Sequence, residues 1–106
     1  MGDEIIVLIT ASSPDEAAKI GSALVEEHLA ACANIVPEIR SLFYWAGKVQ
    51  DESEVLMLVK SRLPLMEKLV ARVTSLHSYS VPEIIAIPVV AGSKAYLEWL
   101  AETTKD

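Results

Sequence analysis

His77, Tyr79 and Glu83 fall in one short run, His77-Ser78-Tyr79-Ser80-Val81-Pro82-Glu83, the densest group of chemistry-bearing side chains in the sequence. An imidazole, a phenol and a carboxylate at this spacing suit metal ligation or capture of a small polar ligand. The run joins a predicted helix to a predicted strand, a kind of junction where function concentrates. His77 sits at the helix C-terminus, where the dipole favours a protonated imidazole. The same residues also read as a helix C-cap followed by a packed aromatic. Cys32, the only cysteine, is either a thiol ligand or a small buried hydrophobe, the usual fate of free cysteine. Cys32, His77 and Glu83 together would make a thiolate, imidazole and carboxylate set acceptable to copper or another divalent cation. His28 reads as a structural histidine on the inward face of a helix. Lys60 closes a strand and reads as a surface lysine, an anion holder or a partner for Glu83.

Motifs with a fixed spacing are missing. The sequence has no C-x-x-C, no H-x-x-x-H and no acidic loop of calcium type. Its glycines, Gly2, Gly21, Gly47 and Gly92, build no phosphate loop, and there is no G-x-S-x-G elbow. Arg40, Arg62 and Arg72 lie outside any glycine-rich loop, as acyl-phosphate hydrolysis would not want. A binding or assembly protein is expected rather than an enzyme, with no organic cofactor.

Fifteen acidic residues against nine basic ones give a net charge of −6. The basic residues are scattered, so neither nucleic acid nor an anionic membrane surface is an expected partner. A lone cysteine permits no internal disulfide, and the acidic N-terminus resembles no signal peptide; the expected compartment is the cytoplasm. The 106 residues suit a single domain over 1–106, and the 52% apolar share hints at an interface between copies.

The elements that must position these residues follow from periodicity. Residues 4–10 form an apolar, β-branched run, predicting a central strand buried on both faces. Ser13, Pro14 and Glu16 predict a capped helix start, with Ala17, Ile20, Gly21, Leu24, His28 and Ala31 inward. Cys32 to Trp45 alternates with the period of a strand, and Pro37 marks a bulge. Ala46-Gly47 turns the chain into a second strand, Lys48 to Lys60. A helix over 63–76 carries the stripe Leu65, Leu69, Val73 and Leu76. A fourth strand spans 81–90, and Gly92-Ser93 opens a last helix with Tyr96, Leu97, Trp99 and Leu100. The order is β-α-β-β-α-β plus a helix, an α+β, ferredoxin-like plan.

The hairpin is too long for such a domain. A strand of about 13 residues reaches ~43 Å, against a diameter of about 34 Å for a compact chain of this length. Its overhanging tip carries Phe43, Tyr44 and Trp45, half of all the aromatic residues. Exposed aromatic tips with free edges require cover, so the hairpin is expected to cross into neighbouring subunits.

Five segments resemble the CutA family of divalent-cation tolerance proteins: Ala30-Ala31-Cys32-Ala33-Asn34; Tyr44-Trp45-Ala46-Gly47-Lys48; Lys60; His77-Ser78-Tyr79-Ser80-Val81-Pro82-Glu83-Ile84; and Tyr96-Leu97-Glu98-Trp99-Leu100. The resemblance implies a homotrimer with hairpins paired between subunits, as in the PII signalling proteins. It also implies divalent-metal tolerance, with copper binding proposed for some members. That copper site uses a strand-end cysteine where this chain has Ile9, and a histidine pair where it has Leu76 and His77. The ligand, an ion or small molecule, is expected in a cleft between subunits near Lys60, Tyr79, Glu83 and Trp45, with His77 and Cys32 as candidate metal ligands. The alternative is a structural or signalling trimer without a metal role.

Overall fold

Local capping chemistry sets where the elements begin and end. The computed structural model describes residues 2–104. In order they form β1 (Glu4–Ala11), α1 (Pro14–Glu26), β2 (Cys32–Trp45) and β3 (Lys48–Arg62). A 3-10 turn (Leu63–Leu65), α2 (Met66–Leu76), β4 (Ile84–Pro88) and α3 (Lys94–Thr103) follow. The strands make one antiparallel sheet in the order β2-β3-β1-β4, the ferredoxin-like arrangement.

The Ser13 hydroxyl accepts from the Glu16 backbone N–H at 3.1 Å and caps α1. Glu16 reaches back one residue further than a capping box requires, accepting from the Ser12 backbone N–H at 2.9 Å. At the other end, Leu29 N–H donates to Leu24 O at 2.9 Å and His28 N–H to Val25 O at 3.1 Å. This is a Schellman closure, and it puts His28 at φ +59°, a position that favours glycine. His28 therefore leaves the helix and is exposed, not inward as its spacing predicts. Its Nδ1 instead meets the Thr103 carbonyl at 3.0 Å.

The main core lies between the sheet and the first two helices. It joins Ile5, Val7, Ile9 and Ala11 of β1 to Val55, Met57 and Val59 of β3, and to Ile20, Leu24, Leu69 and Val73. The opposite face of the sheet is covered only at one end, by α3, where the Arg62 guanidinium donates to the Thr104 hydroxyl and carbonyl, both at 2.8 Å. The rest of that face shows half-buried Ile6, Leu8, Leu56 and Leu58 beside exposed Ile85 and Ile87. β1 is thus central but not buried on both faces, because among the described residues only α3, at one end, covers its second face. β4 is also shorter than predicted: Val81, Pro82 and Glu83 stay in the preceding loop, and Pro82 has no N–H to give a ladder.

The long hairpin is present as predicted, with its register shifting between Val36 and Ile39, around Pro37. β1 stops at Ala11, opposite Val55. Beyond that point β2 and β3 continue alone to Trp45 and Lys48. The molecule measures 44 × 25 × 22 Å, the long axis expected for strands of this length. At the tip Ala46 and Gly47 both have positive φ, +56° and +80°, as the tightest hairpin turns require. Alanine is strained there, whereas asparagine tolerates that region. Ala46→Asn is expected to raise stability by about 1 kcal/mol, read as a shifted denaturation midpoint with unchanged slope.

Candidate functional site

The base of the overhanging hairpin meets the loop between α2 and β4. His77 is the first residue of that loop and its side chain is wholly buried. The Tyr79 backbone N–H donates to its Nδ1 at 3.1 Å. Nε2 therefore carries the proton and donates to the Thr10 carbonyl at 2.7 Å. Both ring nitrogens are engaged within the chain, and the ring also packs against Tyr79 with centroids 4.7 Å apart. The residue that sequence offers as a metal ligand is in fact a tie between β1 and the loop.

Glu16 fixes the same loop from the other side. Its carboxylate accepts from the Ser78 N–H at 2.8 Å and from Ser12. Burial would raise its pKa, but the Ser12 and Ser78 donors outweigh burial and lower it to about 2. A carboxyl depressed in the folded state contributes stability above its unfolded pKa and loses it as pH falls through the folded one. Solvent screens part of this shift, so Glu16 should contribute about 1–2 kcal/mol at neutral pH, lost between about pH 4.5 and pH 2. Glu16→Gln is expected to flatten that acid limb in denaturation curves collected across the range.

Tyr79 turns its hydroxyl to Glu54, donating to Oε2 at 2.8 Å. Burial, then Glu54, pushes the phenol above its ordinary range, so Tyr79 stays a neutral donor. Glu54 is 8% exposed. Around this pair lies a groove of about 800 Å³, whose walls include Phe43, Trp45, Glu52, Glu54, Tyr79 and Glu83. Sequence reasoning offered Lys60, Tyr79, Glu83 and Trp45 for one cleft between subunits; within this chain Trp45, Tyr79 and Glu83 line the groove and Lys60 does not. That reasoning missed Glu52 and Glu54. The signal was there, since carboxylates two apart on a strand share a face, but their β3 segment read only as the hairpin's arm.

Cys32 and Lys60 lie elsewhere. They are cross-strand partners, level with Ile6 of β1. His77 is tied to Thr10, four residues further along that strand, or about 13 Å. The Cys32 sulfur sits beside Tyr96 of α3, whose phenol is pushed up by burial and then by its interaction with that sulfur. Lys60 donates to Asn34 Oδ1 and to the Leu58 carbonyl, while Glu83 adjoins the opposite end of the sheet. Within one chain, then, Cys32 and His77 are too far apart to share a metal, and Lys60 does not pair with Glu83. Ile9 is fully buried in the core. Among the described residues, no three His, Cys, Asp or Glu side chains converge as a metal cage would require. No helix among them is long and apolar enough to cross a membrane.

Comparison with known proteins matches residues 5–103 to a family described as CutA1 divalent ion tolerance protein. The divalent-cation tolerance protein CutA of Thermus thermophilus is 50% identical over 95% of this chain and 98% of its own length. The chloroplastic protein CutA of Arabidopsis thaliana is 45% identical over 96% of this chain, which spans 56% of that longer protein. A solved structure of the divalent cation tolerance protein from Thermus thermophilus superposes with a TM-score of 0.94 at 49% identity, covering 96% of this chain and 99% of that one.

Proposed function

This chain belongs to the CutA1 divalent ion tolerance family, and we propose that it acts in divalent-cation tolerance as a cytoplasmic, non-catalytic homotrimer. Each subunit would hold a metal ion or small ligand in the groove at the base of its hairpin, with a neighbouring chain completing the cleft. One observation carries this reading. The overhang that needs cover, β2 and β3 beyond Ala11, also forms one wall of the acidic groove, with the loop before β4 forming the other. A neighbour that covers the hairpin also closes the groove.

The groove's chemistry decides what kind of metal role is consistent. Copper held by His77 and Cys32 of one chain finds no support, because both His77 nitrogens are engaged by Thr10 and Tyr79 and Cys32 lies at the far end of the sheet. What remains are oxygen donors, Glu52, Glu54 and Glu83, which suit hard divalent cations at modest affinity rather than a copper cage.

Titration calorimetry with Zn(II), Mg(II) and Cu(II), on the wild type and on Glu83→Gln, tests the reading. Saturable heat from a divalent cation, weakened several-fold by Glu83→Gln and unchanged by Cys32→Ala, is expected. Heat that ignores Glu83 would move the site away from the groove. Absence of heat with all three ions, from a chain that still assembles, would favour the structural or signalling trimer, a reading that His77's full engagement supports.

A further inference from the structure

Glu4 opens β1, and its side chain is almost wholly enclosed, the residue being 3% exposed. One carboxyl oxygen, Oε1, accepts from the Gly2 backbone N–H at 3.0 Å. The other, Oε2, is shut off from solvent and, among the described residues, has no hydrogen-bond donor. A buried polar atom left without a partner costs stability, so its presence requires a physical reason.

That reason lies one strand away. Arg62 is the direct cross-strand partner of Glu4, so the two side chains share a face, with Cβ atoms about 5 Å apart. A guanidinium is the natural donor to a buried carboxyl group. Yet Arg62 is engaged elsewhere. Its Nε donates to the Thr104 hydroxyl and its Nη2 to the Thr104 carbonyl, both at 2.8 Å, while Nη1 lies 3.5 Å from Asp3. Thr104 caps the C-terminal end of α3. Docking of α3 therefore draws away the guanidinium that Glu4 lacks. Little else fastens this helix within the chain. Leu100 is its one fully buried side chain, and its other polar tie, from His28 to the Thr103 carbonyl, lies at the same end.

We propose that Arg62 is a latch with two catches. It holds Thr104 while α3 lies on the sheet, and it turns to Glu4 Oε2 when α3 lifts. α3 is then a strap that opens locally while the sheet stays folded. The second partner offsets part of what lifting the helix loses, which lowers the cost of the open state. Opening uncovers the end of the sheet that holds Cys32 and Lys60, where the Cys32 sulfur sits beside Tyr96 of α3.

Hydrogen–deuterium exchange on the intact chain in its native assembly, read residue by residue, tests this. Amides of α3 are expected to exchange about a hundredfold faster than those in the middle of α1. Glu4→Met removes the second catch together with the unmet oxygen. It should slow α3 exchange by about tenfold or more, and α1 exchange by less. Thr104→Val removes one bond of the first catch and should speed α3 exchange several-fold. In an Arg62→Met background, Glu4→Met should slow α3 far less than it does with Arg62 present. Exchange of α3 and α1 at one rate would overturn the strap. So would a Glu4→Met protein whose α3 exchanges as fast as wild type, or a Thr104→Val protein whose α3 exchanges no faster. Equal slowing by Glu4→Met with and without Arg62 would defeat the latch, because the buried carboxyl group would then act alone. If Arg62→Met does not fold, the Glu4→Met and Thr104→Val results decide.

Discussion

Replacing Tyr44 with serine and Val49 with lysine in one chain is expected to convert the proposed three-chain particle to a single chain in sedimentation velocity. The two residues are cross-strand partners near the hairpin tip, 72% and 67% exposed. An aromatic facing a β-branched residue is a favourable strand pair, but on a two-stranded ribbon it shields little from water. Covering such a pair with a neighbour stabilises the contact by about 4 kcal/mol from apolar burial alone. Losing it, and asking a lysine to be buried in its place, should weaken each contact by a factor of about a thousand or more. The fold of the single chain should survive, because neither side chain touches the main core. Far-ultraviolet circular dichroism should therefore stay close to wild type. A variant that remains three chains at micromolar concentration would show that the hairpin tip is not the assembly element. A wild type that is itself a single chain would remove the trimer from the proposed function.

The second large effect is expected at His77. His77→Ala removes a fully buried ring, leaves the Thr10 carbonyl without its donor, and frees the Tyr79 N–H. Unmet buried polar groups cost about 1–3 kcal/mol each, and the lost ring packing adds to that. The total should be about 3–5 kcal/mol, measured by denaturant unfolding at matched chain concentration. Tyr79 and Glu83 share His77's loop, so cation affinity in the groove should fall secondarily. A metal-ligating His77 would give a different signature. Copper would then raise the wild-type midpoint and leave His77→Ala unmoved. The expected result is the reverse: a large stability loss, with the two proteins responding alike to copper.

Much of this was legible residue by residue. Ser13-Pro14 fixed the start of α1 because hydroxyl capping and a preset φ act over one turn. Pro37 announced the register shift because it cannot donate to a ladder. The length of the hairpin followed from counting alternating residues, and the family followed from ordered segments spread over nearly the whole chain. Errors arose where a longer-range partner decided. His28 continues the helical spacing, yet the Schellman closure takes it out of the helix and α3 supplies its partner. The 81–90 run looks like one strand, but its ladder with β1 runs only from Ile84 to Pro88, with one further bond from the Val89 N–H to the Glu4 carbonyl.

The sequence alone determined the elements, their order and the surplus of apolar surface, because capping, alternation and turn formation depend on neighbours a few residues away. Tertiary structure alone decided which chemistry-bearing residues meet. Strand register set Cys32 and Lys60 at one end of the sheet and His77 at the other. The end of β1 at Ala11 opened space for Tyr79 to reach Glu54. Those outcomes depend on pairings between residues distant in the chain, which spacing along one strand or helix does not encode. His77 was therefore visible as a candidate from its type and place. Whether its nitrogens were free depended on Thr10, 67 residues away.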